Sequence, residues 1–195
     1  MIPLATTPLP ASSCFGGTPR SVSRPSGGGL GRFLQGVLDL GCGHGVPISQ
    51  VLIQEGFVVY GVDASPAMVA AFHERFPQAH VACEAVEDSG LFGRTFDAVV
   101  AWGLLFLLAA DAQEALIHRI ASVLLPGGSF LLTAPEQTCT WTDMLTGRQS
   151  ISLGNEGYRT ILAAAGLERL ADAAGRITYS ARANAVKGSV PNEYG

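Results

Sequence analysis

The stretch VLDLGCGHG, residues 37–45, places glycines at 41, 43 and 45 directly behind a short apolar run that contains Asp39. Glycine loses more conformational freedom on folding than any other residue. Three alternating glycines therefore mark backbone that needs positive φ or must approach something closely. An ordinary tight turn needs fewer of them. A strand-to-helix turn that seats a ligand against bare backbone uses them all, and it dictates what must surround it.

What surrounds it is an alternation of strand and helix signals. VLDL is the first apolar run, and VPISQVLIQEG (46–56) follows with helical spacing of Val46, Ile48, Val51 and Leu52 and a closing Gly56. FVVYGVD (57–63) is β-branched and aromatic, hence a strand. SPAMVAAFHERF (65–76) opens with Ser65 as N-cap and Pro66 at the first helical position. AHVACE (79–84) and FDAVVAW (96–102) are the third and fourth strands. ADAQEALIHRIASVLL (110–125) is an amphipathic helix stopped by PGG, and SFLLTA (129–134) is a fifth strand. NEGYRTILAAAG (155–166) is a last helix, followed by strands in LERLADA (167–173) and ITYSARANA (177–185). This alternation predicts a parallel sheet covered on both faces, with ligands at the carboxyl ends of the strands.

Residues 1–29 are rich in Pro, Gly, Ser and Thr and bury too little apolar surface to offset their ordering entropy, so they are expected to form a flexible tail. They lack the continuous apolar core of a signal peptide. Residues 30–195 are expected to form one domain. The chain is 48% hydrophobic and 14% charged with net charge −4, which argues against a phosphate-tracking nucleic-acid surface. The longest apolar stretch spans only residues 98–110, against the roughly 20 residues of a membrane-crossing helix. Cys14, Cys42, Cys83 and Cys139 are widely separated, as expected for reduced thiols in a cytoplasmic protein, and neither they nor the four histidines have metal-ligand spacing.

The residues next to the turn narrow the ligand. A dinucleotide site uses G-x-G-x-x-G, whereas here the pattern is G-x-G-x-G with Val46 in the sixth place. A carboxylate at Asp39 would repel a pyrophosphate but favour an ammonium or sulfonium group. A nicotinamide site therefore ranks last. Asp63 ends the second strand, where an acidic side chain accepts both hydroxyls of a ribose. Glu84 ends the third and can accept from an exocyclic amine. Asp97 begins the fourth strand, at the opposite edge, and is expected to be structural.

VLDLGCGHG, VYGVDAS (59–65), CEAVEDSGLFGRTFDAVVAWG (83–103) and LLPGGSFLL (124–132), in this order and spacing, resemble the successive motifs of class I S-adenosylmethionine-dependent methyltransferases. The resemblance covers about residues 34–172. It implies a Rossmann-like α/β fold with a seven-stranded, mostly parallel sheet of order 3-2-1-4-5-7-6 and helices on both faces. It further implies that Asp39, Gly41 and Gly43 hold the methionine part of the cofactor, Asp63 and Ala64 the ribose and adenine, and Glu84 and Ala85 the adenine amine. Ala101 and Trp102, with Gly103 behind them, would face cofactor and acceptor. The whole set expected around S-adenosyl-L-methionine also takes in Cys42, Gly45, Ser65 and Met68. Trp102, Phe106 and Trp141 are the candidates to meet the acceptor.

The sequence departs from that family in three places, one of them the segment after Gly175, which resembles it only loosely. The segment after the fourth strand, WGLLFLL, is apolar where many small-molecule members carry a polar residue, so no catalytic acid or base is expected. N-terminal helices that cover the acceptor pocket in the family are replaced by the Pro/Gly/Ser-rich stretch. His44 is expected to be a solvated turn residue, His73 and His118 to sit on exposed helix faces, and Tyr158 to be core. The function implied is methyl transfer to a small-molecule acceptor. Alternatives are a non-catalytic cofactor-binding accessory subunit and another transferase, of the aminopropyl type, on the same fold.

Overall fold

The structure, a computed structural model, describes residues 36–144, 146–169 and 178–183. The stretch 1–29 expected as a tail lies outside the described residues. The elements run β1 (Val37–Leu40), α1 (Ile48–Gln54), β2 (Val59–Asp63), α2 (Pro66–Arg75), β3 (His80–Cys83), β4 (Phe96–Ala101), α3 (Ala110–Val123) and β5 (Leu124–Thr133), followed by β6 (Thr138–Thr142), β7 (Gln149–Leu153), α4 (Gly154–Ala164), β8 (Leu167–Arg169) and β9 (Thr178–Ala183).

Seven strands form one sheet in the order β3-β2-β1-β4-β5-β9-β8. The first five are parallel, and β9 runs antiparallel to both β5 and β8. Counted within this sheet alone, β8 and β9 are the sixth and seventh strands, which gives the order 3-2-1-4-5-7-6.

Side-chain alternation along each strand divides the core between two faces. Leu38, Leu40, Val62, Val99, Phe130 and Leu132 pack with Leu116, Ile117 and Ile120 of α3 and with Tyr158 and Leu162 of α4. Val37, Val59 and Val100 pack on the other side with Leu52 of α1 and Phe72 of α2. Asp39 follows Val37 by two, so it shares the α1 and α2 face. Tyr158 is fully buried, as expected, and its hydroxyl donates to Gln113 Oε1 at 2.7 Å. Gln113 in turn donates to the carbonyls of Leu108 at 3.0 Å and Ile151 at 2.9 Å, which joins α3, α4 and β7.

Two local expectations are revised, and one element had no signal in the sequence. Helix α1 begins at Ile48, leaving Val46 outside it and exposed. PGG does not interrupt structure before the fifth strand. It lies within β5, as extra residues between the Phe96–Leu124 and Ala98–Ser129 pairings, with Gly127 at φ +76°. The long stretch after β5 is a two-stranded hairpin, β6 against β7. Its two fully covered inward positions are Ser150 and Ser152, so hydrophobic periodicity gave no strand signal there. Among the described residues no helix is long and apolar enough to cross a membrane.

Candidate functional site

Strand register assembles the site. Leu40 stands opposite Val62, Asp63 opposite Cys83 and Asp39 opposite Val100, so β1, β2, β3 and β4 end along one edge. Backbone bonds then carry the chain past those ends. The amides of Gly41 and Cys42 donate to Val62 O at 2.8 and 3.1 Å, and that of Glu84 donates to Asp63 O at 3.1 Å.

The three glycines have different tasks, although all have positive φ. A Cβ on Gly45 would stand 2.6 Å from the Phe76 ring and 2.8 Å from that of Phe72, so Gly45 lets the turn lie on α2. A Cβ on Gly41 would meet Leu104 at 3.1 Å. A Cβ on Gly43 would meet nothing within 4 Å, so this turn of backbone faces open space. Gly45→Ala is expected to destabilise the fold by about 2–3 kcal/mol, from backbone strain and overpacking together. Chemical denaturation checks this, and a loss below about 0.5 kcal/mol would contradict the packing described.

Asp39 is 2% exposed, and Ser49 Oγ of α1 donates to its Oδ2 at 2.5 Å. Burial raises its carboxyl to about 7, with the Asp63 charge adding to the rise and the Ser49 hydrogen bond opposing it. Near neutrality, then, the ligand-free chain carries only part of the negative charge that the sequence argument gave Asp39. A cation placed nearby would draw out the rest. The Cys42 thiol beneath the turn is pushed well above its usual range by burial and by both aspartates. It packs so closely that its Sγ would be 2.7 Å from a Cβ on Gly61.

Asp63 is a junction. Its Oδ2 accepts from Gly43 N at 2.8 Å and its Oδ1 from Ser65 N at 2.9 Å, which ties the glycine turn to the start of α2. Each oxygen keeps a second lone pair for a ligand. Ser65 Oγ caps α2 by accepting from Met68 N at 3.4 Å, while Ala64 and the Met68 side chain are exposed. Glu84 follows β3 directly, and its Oε1 accepts from Ser89 Oγ at 2.8 Å. Ala85 beside it is half-buried.

At the end of β4, the Ala101 side chain is core, so only its backbone borders the site. Gly103 N donates to Thr133 Oγ1 at 2.7 Å, joining the ends of β4 and β5. The expected acceptor residues separate into two places. Phe106 and Trp141 come together with ring centroids 5.3 Å apart, whereas Trp102 is half-buried against the cluster that contains Cys42 and Val100. Ser49, Ser89 and Thr133 were missed in sequence, because a lone Ser or Thr carries no periodic signal.

Of the histidines, His44 lies in the glycine turn itself and the other three lie off it. His44 is exposed, with Nδ1 accepting from Val46 N at 3.2 Å, and His73 and His118 are exposed on α2 and α3. His80 stacks on Tyr60 at 4.5 Å. Among the described residues no three His, Cys, Asp or Glu side chains gather to hold a metal ion. An open hollow of about 710 Å³ bordered by Asp111, Glu114, Thr138 and Glu156 is lined by none of the carboxyl-edge residues. The candidate site is therefore drawn from the strand ends and their carboxyl groups, not from that hollow.

Residues 37–128 match a family model described as a methyltransferase domain. Over 114 residues the chain is 33% identical to carboxy-S-adenosyl-L-methionine synthase of Desulforapulum autotrophicum, covering 54% of this chain and 44% of that protein. Over 107 residues it is 33% identical to an uncharacterized methyltransferase of Synechocystis sp., covering 55% of this chain and 50% of the other. The chain thus spans about half the length of the curated relatives it matches. Among solved structures it is similar to Burkholderia thailandensis 1,6-didemethyltoxoflavin-N1-methyltransferase, crystallised with 1,6-didemethyltoxoflavin and S-adenosylhomocysteine. That likeness has a TM-score of 0.63 at 21% identity and covers 76% of this chain and 70% of the other.

Proposed function

We propose that this chain is a class I S-adenosylmethionine-dependent methyltransferase, one that binds S-adenosyl-L-methionine and transfers a methyl group to a small-molecule acceptor; its match to a methyltransferase-domain model over residues 37–128 and its sheet order support this. The observation that carries the reading is the placement of Asp39, Asp63 and Glu84 at three neighbouring strand ends around a glycine turn. The residues fit the cofactor. Gly43 leaves open space beside the turn, Asp63 can accept from a diol, and Glu84 keeps Oε2 free of any protein hydrogen bond among the described residues. Asp39 and Asp63 together favour a ligand that brings positive charge.

The cofactor supplies an activated methyl group on a sulfonium, open to in-line displacement. The chain's part is binding, alignment and exclusion of water. Asp63 orients the ribose, Glu84 the adenine amine, and the turn at Gly41 and Gly43 admits the methionine portion. Beyond β4, Leu104, Leu105, Phe106 and Leu108 are buried and offer no side chain that exchanges a proton. Alignment can carry most of the rate when the leaving group is already activated, so no dedicated base is assigned. Phe106 with Trp141, and separately Trp102, are the apolar surfaces proposed to meet the acceptor. We place the reaction in the cytoplasm, where the thiols of Cys42 and Cys83 would stay reduced.

Titration calorimetry with S-adenosylmethionine and with NAD tests the reading. The expected result is S-adenosylmethionine binding near −8 kcal/mol, about micromolar, with NAD at least tenfold weaker. Equal or tighter binding of NAD would overturn it.

A further inference from the structure

Arg119 of α3 reaches across to the loop that follows β3. Its Nη1 donates to Val86 O at 3.1 Å and Glu87 O at 2.6 Å, and its Nη2 donates to Ser89 O. Three neutral carbonyls within four residues thus converge on a single guanidinium. A planar fork of donors suits that task, and a compact ammonium does not. The effect of such an arrangement is to fix a backbone path.

The path being fixed is the one that leads from Glu84. Ser89, 1% exposed, is held by its carbonyl to Arg119, and its hydroxyl touches two further groups. Leu91 N donates to Ser89 Oγ at 3.0 Å, and Ser89 Oγ lies 2.8 Å from Glu84 Oε1. With an amide hydrogen already directed at the oxygen, the hydroxyl hydrogen points to Glu84. Glu84 Oε1 is thereby anchored, and Oε2 has no protein hydrogen bond among the described residues. The other end of the same residue is anchored by Glu84 N on Asp63 O.

We propose that Arg119, acting through Ser89, is a positioning residue that aims the Glu84 carboxylate at the exocyclic amine of the cofactor's adenine and so sets selectivity for adenine. This rests on the cofactor reading above. Loss of either link would free the Glu84 side chain to rotate. Recognition of the amine would weaken, while contacts to ribose and methionine would remain.

The test compares S-adenosylhomocysteine with S-inosylhomocysteine, in which a carbonyl replaces the amine, by calorimetry on the full chain. Wild type is expected to prefer the adenosyl ligand by about tenfold or more, since the carboxylate accepts from the amine and repels the carbonyl. Glu84→Gln should lose most of that preference. Ser89→Ala and Arg119→Lys should each cut it by about threefold or more, with inosyl affinity unchanged or improved. Absence of preference in wild type, or failure to bind either ligand, overturns the adenine reading and this proposal with it. A preference lost in Glu84→Gln but kept in both other variants leaves the cofactor reading intact and overturns the positioning role. Equal weakening of both ligands would likewise reduce Arg119 to a structural brace. Should Arg119→Lys fail to fold, Ser89→Ala decides alone, because it removes the link to Glu84 and leaves the guanidinium's three carbonyls in place.

Discussion

Asp63→Ala is expected to weaken S-adenosylmethionine binding by about 2–4 kcal/mol, roughly 30- to 1,000-fold in Kd. Two losses combine. The ribose loses charge-assisted hydrogen bonds, and the site loses its own tie. Gly43 N and Ser65 N, which donate to the two carboxylate oxygens at 2.8 and 2.9 Å, are left without their acceptor. The glycine turn and the start of α2 then no longer share an anchor, so melting temperature should fall together with affinity. Asp63→Asn should lie between, because an amide keeps one acceptor oxygen where two are used. Asp97, near the amino end of β4, is the comparison: Asp97→Asn should leave affinity within about twofold of wild type. Calorimetry and thermal melting on the same samples check both. An Asp63→Ala variant within threefold of wild type would mean that the ribose does not sit at this strand end.

Asp39 should make the ligand-free chain less stable as pH rises from about 4 to 7. An unfolded chain releases this proton near 3.8, whereas the folded chain, with the carboxyl buried, holds it to about 7. Over that window the native state binds more protons, so its stability is greatest at the acid end and declines as pH climbs. The full interval corresponds to at most about 4 kcal/mol, a large share of the 5–15 kcal/mol typical of a domain. Asp39→Asn should remove this contribution, and urea denaturation of both proteins across the window measures it. Binding follows the opposite slope. A cation beside Asp39 favours the carboxylate, so S-adenosylmethionine should expel the proton and bind more tightly with rising pH, by up to about tenfold per unit below 7. An affinity that stays flat in wild type from pH 5.5 to 7.5 would place the cofactor's positive charge elsewhere.

Much of this protein is written locally. The strand and helix alternation, the cap at Ser65 and the glycine turn at Gly41, Gly43 and Gly45 follow from propensity, period and the cost of glycine, which neighbouring residues decide among themselves. Asp63 and Glu84 stood out as site candidates in the sequence because each closes a strand candidate, and parallel strands bring such positions to one edge. The tertiary structure decided what those groups can do. That Asp39 is buried against Ser49 and holds its proton to about 7 depends on α1 closing over one face of β1. That Gly45 is needed for packing, while Gly43 alone of the turn's three glycines opens to space, depends on the rings of Phe72 in α2 and of Phe76 just past its end. The β6–β7 hairpin was invisible in sequence because serines fill its covered positions, and its partner is a distant aromatic, Phe106. Arg119 lies 30 residues beyond Ser89 in the chain and has no motif around it. Its role exists only because α3 packs beside the loop after β3, where three carbonyls need a donor.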